Sequence, residues 1–247
     1  MFDSLLERAE ESCQVRGSLL DLGSSVGHLL EAAAQRGWKV TGIELDATTA
    51  HLVRDRTGFD VRPGVAEEVL PSLGFFDLIV MSHWLEHLPD PRTAFARAAQ
   101  HLSAGGGVLL RLPNARSQGA GLLGSLWPWY CPPFHLFYFS RHGVEFLARA
   151  NGLSIDWFET ARGDAQPLPI EILNAAYRWW GRNKPRGAAT PGVGDLLSHP
   201  SPARLALKRS VIRLRPWGER MFPFEAAENT ELRVLLRRRP SGLSSLS

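Results

Sequence analysis

The chain is poor in cysteine, and its two cysteines, Cys13 and Cys131, are too few for a secreted disulfide framework or a cysteine-rich zinc module. Its amino terminus has no basic segment followed by an apolar one, so no signal peptide is predicted and a cytoplasmic location is expected. The 247 residues are 44% hydrophobic and 21% charged, which excludes a disordered or collagen-like chain. A chain of this length can bury a core without a disulfide or a metal staple.

One stretch lacks charge altogether, because residues 117–140 contain no Asp, Glu, Lys or Arg. Pro128, Pro132 and Pro133 interrupt this stretch, together with three glycines. A helix in lipid must satisfy its own backbone hydrogen bonds, which this density of helix breakers prevents. The stretch is therefore predicted to be an apolar loop rich in aromatic residues, and not a membrane span.

Charge is unevenly distributed along the chain. Residues 1–159 carry 13 basic and 18 acidic side chains, whereas residues 160–247 carry 15 basic and 7 acidic ones. Arginine lies beside tryptophan at 178–182, and basic residues alternate with apolar ones at 204–215. This pattern fits contact with an anionic membrane or a lipid-linked substrate, and a solvated helix face is the plainer alternative. Nucleic acid is less expected as a partner, because no known RNA-binding module is visible.

Strand-like and helix-like segments alternate through the first 112 residues. Strands are predicted at 17–22, 38–43, 59–62, 75–81 and 107–112, and helices at 25–36, 47–56 and 91–101. This rhythm predicts an α/β fold, in which helices cover both faces of a mostly parallel sheet. A helix at 141–150 and strands at 153–159 and 232–237 bring the sheet to seven strands. The proline-rich segment before the last strand has two plausible amphipathic helices, at about 170–181 and 202–214.

A loop of small residues follows the first strand directly. The run Asp21-Leu22-Gly23-Ser24-Ser25-Val26-Gly27 leads into a helix, whose free N–H groups favour a ligand. The second strand ends at Glu44, which is placed to accept hydrogen bonds from two ribose hydroxyls. A nicotinamide fingerprint would need glycine at positions 25 and 28, where the chain has Ser25 and His28. A nicotinamide-dependent oxidoreductase is therefore the weaker alternative.

Three segments together resemble the class I S-adenosylmethionine-dependent methyltransferases: Asp21–Gly27, Gly42–Asp46 and Phe76–Pro91. They are most similar to the branch that includes quinone-biosynthesis and bacterial polysaccharide-cluster methyltransferases. Residues 132–140 resemble the P-x-H-x-x-x-F-S segment of that branch. The resemblance covers about residues 15–159 and the last strand.

The resemblance implies a Rossmann-like seven-stranded sheet with a helical insertion before the last strand. Combined with the composition of the chain after residue 159, the resemblance divides the chain into a cofactor-binding core at 1–159, a basic insertion or cap at 160–230, the last strand at 231–240 and a disordered tail at 241–247. It implies S-adenosylmethionine as cofactor and methyl transfer to a small molecule or a lipid-linked glycan, at a hydroxyl. The enzyme would be cytoplasmic or peripheral to the inner face of the membrane. A regulatory protein that binds the cofactor without catalysis is the alternative.

The resemblance also assigns nine cofactor-binding residues, at the carboxyl ends of the first four strands. Asp21 and the backbone at Gly23, Ser25 and Gly27 would face the amino-acid end of the cofactor, Glu44 the ribose, Leu45 and Ala66 the adenine, and Met81 and Ser82 the methyl sulfonium. Val65 stands where the family often has Asp. The contact to the adenine amino group is therefore expected from a backbone carbonyl or from Glu67.

Histidines are the candidates for a general base, which helps an oxygen nucleophile at neutral pH. His83 follows the fourth strand directly, and His135 lies among aromatic residues in the charge-free stretch. His135 is the preferred base, and His83 is the second candidate. His87 is expected to hold the loop in place. The His83–His87 spacing could also bind zinc, but no third ligand is evident in the sequence, so no metal site is predicted.

Overall fold

Seven strands form one sheet in the computed structural model, which describes residues 2–13, 16–161 and 230–238. The chain divides into two compact units. The first comprises residues 1–114, 132–160 and 231–247 and contains the sheet, and the second comprises residues 115–131 and 161–230. Nearly all of the predicted insertion, including its two helices, and the predicted tail lie outside the described residues.

The elements alternate along the chain much as the sequence predicts. They are α1 (Phe2–Cys13), β1 (Ser18–Leu22), α2 (His28–Gln35), β2 (Lys39–Glu44), α3 (Ala47–Thr57), β3 (Asp60–Pro63), α4 (Ala66–Val69), β4 (Phe76–Ser82), α5 (Pro91–Gln100), β5 (Leu102–Pro113), α6 (Gln118–Leu123), α7 (Arg141–Ala150), β6 (Leu153–Ala161) and β7 (Glu231–Arg238). Short 3₁₀ turns follow α4, β4 and α6.

The sheet order is β3-β2-β1-β4-β5-β7-β6. Strands β1 to β5 pair in parallel, and β7 runs antiparallel to β5. The predicted seven-stranded, mostly parallel α/β sheet is thus confirmed. Since β1 lies between β2 and β4, the connections after β1 and β4 leave toward opposite sides. In open α/β sheets, ligands bind in the crevice at such a switch point, outside the carboxyl ends of the strands.

Helices cover both faces of the sheet. On one face α1, α2 and α3 bury Leu6, Leu30 and Val53 in one apolar cluster. On the other face α4, α5 and α7 contribute to a second cluster, which includes Phe95 and Val144. Successive residues of β1 enter opposite clusters, as the period of a strand requires. Both faces of the parallel strands are therefore buried, and only the strand ends are open for chemistry.

Side-chain caps fix where several helices begin. Asp46, Asp90 and Ser140 each accept a hydrogen bond from the backbone N–H three residues later. Helix α2 differs, because it begins at His28 and not at Ser25. Ser25 and Gly27 have positive φ angles of 47° and 85°, so the loop before α2 extends further than predicted.

Three helices escaped the sequence analysis, and the shortest of them is α4. The polar amino terminus forms helix α1, whose Leu5, Leu6 and Ala9 are buried while its acidic residues other than Glu10 face outward. In the charge-free stretch, residues 118–123 form α6, which Ser117 caps. No helix in the described ranges is long and apolar enough to cross a membrane.

Candidate active site

The loop after β1 approaches β2 and β4 closely. The backbone N–H groups of Gly23 and Ser24 both donate to the carbonyl of Ile43, at 2.9 and 3.0 Å. Gly23 has a φ of 77°, and a Cβ atom there would lie 2.5 Å from Cδ1 of Trp84. A Cβ atom on Gly27 would lie 2.7 Å from Cγ1 of Val53. Glycine is therefore required at both positions by conformation and by space.

Glu44 ends β2 beside this loop, as the sequence predicts. Its Oε2 accepts a hydrogen bond of 2.7 Å from the backbone N–H of Ser25, and its Oε1 accepts one of 3.0 Å from Asp46. Both bonds come from backbone groups at fixed positions. The carboxylate is therefore held at the carboxyl edge of the sheet by backbone groups, with no cationic partner among the residues that the structure describes.

Asp21 lies in β1, one residue before the strand ends, and is only 3% exposed. Burial, and to a smaller extent the negative charge of Glu44, together raise the pKa of its carboxyl group to about 7. Within the described ranges no basic side chain pairs with Asp21 or Glu44. Two carboxylates at the switch point of the sheet thus lack a compensating cation.

The residues around this pair fit S-adenosylmethionine. A ligand with an ammonium and a sulfonium group would supply the missing positive charge, and Glu44 could accept hydrogen bonds from its ribose. Ser24 Oγ is buried and has no hydrogen-bond partner among the described residues. Leu45, directly after Glu44, is 71% exposed and offers an apolar surface for a purine.

The remaining predicted cofactor residues lie at the same edge, but not all present side chains there. Ala66 is the first residue of α4 and is buried. The side chain of Met81 is fully buried in the apolar core, so it can reach the edge only through its backbone. Ser82 Oγ accepts a hydrogen bond of 3.1 Å from Arg111 Nη1.

His83 follows β4 in a left-handed conformation, with a φ of 51°. Its Nδ1 lies 3.2 Å from Oε1 of Glu86, and its Nε2 lies 3.1 Å from Oε2 of Glu231. Burial lowers the pKa of this imidazole, but the two carboxylates outweigh burial and raise the pKa to about 9. His83 is therefore a cation at neutral pH, with both ring nitrogens engaged, which argues against a role as the general base.

Glu231 is the centre of an ionic network that the sequence analysis missed. It begins β7 and lies opposite Pro113, the last residue of β5. Arg111 donates to it at 2.7 and 3.2 Å, and Arg233 donates at 2.6 Å. Burial opposes its ionisation, but hydrogen bonds from His83, Arg111 and Arg233 prevail and lower its pKa to about 2.

The preferred candidate base, His135, is buried in the segment that begins at residue 132. Its ring meets the ring of His87 edge-on, with 4.8 Å between the centroids. His87 Nδ1 lies 2.8 Å from the carbonyl oxygen of Phe134, which supports the predicted role of His87 in holding this segment. The ligand atoms of Glu86, His87 and His135 all lie within 4.8 Å of one another.

Comparisons with known proteins agree with this architecture. A family model described as a methyltransferase domain matches residues 1–156. A ubiquinone biosynthesis O-methyltransferase of Pseudomonas paraeruginosa (strain DSM 24068 / PA7) is 34% identical over 103 residues, which cover 39% of this chain and 44% of the relative. The matched part thus spans less than half of that relative's length.

Solved structures of low sequence identity share the fold. A putative sarcosine dimethylglycine methyltransferase from Galdieria sulphuraria aligns over 96% of this chain and 83% of its own, with a TM-score of 0.58 and 14% identity. The [4+2]-cyclase SpnF aligns over 96% of this chain and 80% of its own, with a TM-score of 0.56 and 17% identity. A cyclase among the neighbours illustrates that this fold does not fix the reaction. The family model covers more than half of the chain, and the chain therefore belongs to the class I S-adenosylmethionine-dependent methyltransferases, whose cofactor is S-adenosylmethionine.

Proposed function

We propose that the protein transfers the methyl group of S-adenosylmethionine to a hydroxyl group of a small molecule. The observation that carries this proposal is the pair of carboxylates, Asp21 and Glu44, beside the glycine loop. Their negative charge lacks a basic partner in the described part of the chain, and a sulfonium cofactor would provide one. The name of the curated relative, an O-methyltransferase, supports a hydroxyl as the acceptor group.

The cofactor supplies an electrophilic methyl group and a thioether leaving group when bound. The chain positions these groups through Glu44 and the loop backbone, and Asp21 offers its carboxylate to the ammonium group. In the transfer, the acceptor oxygen would form a bond to the methyl carbon while the carbon–sulfur bond breaks and sulfur keeps the electron pair. The hydroxyl proton would leave to His135, the preferred candidate, because the pKa of His83 is raised to about 9 and both of its ring nitrogens are engaged.

An acceptor with an apolar body fits the surface next to His135. Phe134, Leu136 and Phe137 all belong to the exposed large hydrophobic residues, and Phe134 is 73% exposed. These side chains could cover an aromatic or aliphatic acceptor. A lipid-linked glycan and contact with an anionic membrane are finer versions of this proposal. They rest on the basic residues of 160–230, nearly all of which lie outside the described part of the structure.

The cofactor half of the proposal is tested by calorimetry with S-adenosylhomocysteine. Glu44→Ala should weaken binding by about 10- to 100-fold, because it removes charge-assisted hydrogen bonds to the ribose. Asp60→Ala is the matched control, since Asp60 is an exposed carboxylate paired with Arg62 on β3. Tighter binding of NADH than of S-adenosylhomocysteine would contradict the proposal.

The acceptor half is tested by release of S-adenosylhomocysteine over a panel of phenols, catechols and sugars. His135→Ala should lower turnover by about 10²- to 10⁴-fold with cofactor affinity nearly unchanged. His142→Ala on the exposed face of α7 is the control and should keep full activity. If the protein binds the cofactor tightly and no hydroxyl acceptor is methylated, the chain is a cofactor-binding protein without this activity.

A further inference from the structure

We propose that Glu86, His87 and His135 bind a divalent transition metal ion, with Zn²⁺ preferred, and that this ion binds the acceptor oxygen. The metal site itself stands on the geometry of these three side chains, whereas its role toward the acceptor rests on the proposed function. Their ligand atoms lie within 4.8 Å of one another, and the residues come from two segments that the chain separates by 48 positions.

Glu86 offers a carboxylate oxygen that needs a partner. The residue is fully buried, and its Oε1 lies 3.2 Å from Nδ1 of His83. Its Oε2 is buried and has no hydrogen-bond partner among the residues that the structure describes. A buried carboxylate oxygen without a partner is unfavourable, and a metal ion next to two imidazoles would satisfy it.

His87 is oriented as a metal ligand. Its Nδ1 lies 2.8 Å from the carbonyl oxygen of Phe134, an acceptor, so Nδ1 carries the proton and donates it. Nε2 then keeps its lone pair for a cation. Metal-binding histidines commonly donate their other ring N–H to a carbonyl or carboxylate in this way, which fixes the tautomer and the ring orientation. The hydrogen bond thus prepares His87 before any ion arrives.

The backbone clamps the two segments together. The carbonyl oxygen of Glu86 accepts hydrogen bonds from the backbone N–H groups of Leu136 and Phe137, at 2.8 and 3.2 Å. These bonds place His135, the residue before Leu136, beside His87, whose ring it meets edge-on. The site is therefore formed by backbone pairing and not by the chance positions of flexible side chains.

The ligand set selects the ion. Two imidazoles and one carboxylate form the typical set of catalytic zinc sites and of non-haem iron sites, and both kinds of site keep open positions. Mg²⁺ prefers an octahedron of oxygen ligands, which this set does not provide. Zn²⁺ also binds more tightly than Mn²⁺ or Fe²⁺ to a given set of nitrogen and oxygen ligands. Because His87 is exposed, the ion and an acceptor can reach the site from solvent.

The open position would take the acceptor hydroxyl. A bound divalent ion lowers the pKa of a coordinated hydroxyl, which releases its proton to solvent. The oxygen, still bound to the ion, then forms its bond to the methyl carbon while the carbon–sulfur bond breaks and sulfur keeps the electron pair. The ion is neither oxidised nor reduced. In this version His135 acts as a ligand, and the metal takes over the role of the general base.

The test uses the full chain, stripped of metal with a chelator and then dialysed. Titration with Zn²⁺ should show one ion bound per chain, and Co²⁺ should give a visible absorption band that changes when an accepted hydroxyl compound is added. His87→Ala and Glu86→Gln should each weaken Zn²⁺ binding by at least about tenfold, the usual minimum for loss of a metal ligand or its support. His142→Ala should bind the ion as the wild type does.

His87→Ala keeps the test decisive even if the buried Glu86→Gln variant does not fold, because His87 is exposed. Stoichiometric Zn²⁺ binding that is lost in His87→Ala supports the site. If the metal-free wild type folds and binds S-adenosylhomocysteine but takes up no Zn²⁺, the site is wrong. In that case, methyl transfer at an unchanged rate in the presence of chelator would leave the proposed function intact. Conversely, a protein that binds Zn²⁺ but no S-adenosylhomocysteine would refute the proposed function and keep the metal site.

Discussion

The two halves of the carboxyl edge of the sheet treat buried charge in opposite ways. At the ends of β1 and β2, Asp21 and Glu44 lack a basic partner in the described residues, and the pKa of Asp21 is raised to about 7. Across β4, β5 and β7, the carboxylate of Glu231 is surrounded by His83, Arg111 and Arg233, and its pKa is lowered to about 2. The first half leaves its charge for a ligand to neutralise, whereas the second half neutralises its own.

This difference suggests that the first half of the edge binds the cofactor and the second half holds the strand ends in position. A buried carboxylate without a cation destabilises the empty protein and gains the most from a cationic ligand. A fully paired network gains nothing from such a ligand, but it joins the start of β7 to the ends of β4 and β5, which lie more than 100 residues earlier in the chain. We therefore expect substitutions in the first half to change cofactor affinity, and substitutions in the second half to change stability.

The largest expected effect is the loss of stability in Glu231→Ala. The variant leaves the buried Arg111 without its carboxylate, and breaking a buried ion pair costs about 3–5 kcal/mol. Urea unfolding followed by circular dichroism would measure it. Asp60→Ala, which breaks an exposed pair with Arg62, should cost less than about 1 kcal/mol. Equal losses of stability in the two variants would mean that burial of an ion pair does not determine how much the pair stabilises this protein.

Asp21→Asn should change how stability depends on pH. The pKa of Asp21 is higher in the folded protein than its usual value of 3.8, so the folded state holds the proton more tightly than the unfolded state. Its contribution to stability is therefore present below pH 3.8, falls as pH rises to about 7, and stays low above that. The full decrease amounts to up to ~4 kcal/mol.

The Asn variant removes this decrease, so it should be more stable than the wild type above pH 7 when no ligand is present. The same variant should bind S-adenosylhomocysteine more weakly, because the carboxylate for the ammonium group is gone. Unfolding at pH 4, 6 and 8 together with calorimetry checks both effects. A variant that gains stability at high pH and also keeps full affinity would show that Asp21 does not face the cofactor.

The half of the edge at β1 and β2, called here the cofactor half, could be predicted from the sequence because its signals are local. The loop at Gly23 follows directly on β1, and Glu44 ends the next strand, so both follow from the order of the elements. The half of the edge around Glu231, where every charge has a partner of opposite sign, could not be predicted in this way. Glu231 lies 148 residues after His83 and 120 after Arg111, and they meet only through the antiparallel register of β5 and β7.

The same reason explains the other omissions at the site. Glu86 and His135 come together because backbone bonds join residue 86 to residues 136 and 137, which no periodic pattern reveals. The sequence pattern places Met81 at the sulfonium without deciding between its backbone and its side chain, and in the structure that side chain is buried in the apolar core. Pairing between distant segments sets these details, and local composition does not.

A smaller effect is expected from Gly23→Ala in the cofactor half. The new Cβ atom would lie 2.5 Å from Trp84, and alanine disfavours a φ of 77°. We expect a loss of about 2–3 kcal/mol in stability together with weaker cofactor binding. In the background of Trp84→Ala the contact is relieved and only the backbone strain remains, so the same substitution should cost about 1 kcal/mol. A cost that does not depend on Trp84 would mean that strain alone requires the glycine.

The smallest effect concerns two helix caps, one of them next to Glu44. Asp46 caps α3 and Asp90 caps α5, each through a hydrogen bond to the N–H three residues later, at 2.7 and 3.1 Å. Asp46→Ala and Asp90→Ala should therefore lower Tm by similar, small amounts, because the lost bond is of the same kind.

The effects of these two substitutions on cofactor binding should differ. The backbone N–H of Asp46 holds Oε1 of Glu44, so a loosened start of α3 also loosens the carboxylate for the ribose. Asp46→Ala should weaken S-adenosylhomocysteine binding by about two- to fivefold, as expected for a softened rather than deleted hydrogen bond, and Asp90→Ala should leave binding unchanged. If both variants weaken binding equally, the two halves of the edge are coupled through the stability of the whole sheet, and their division into binding and positioning is wrong.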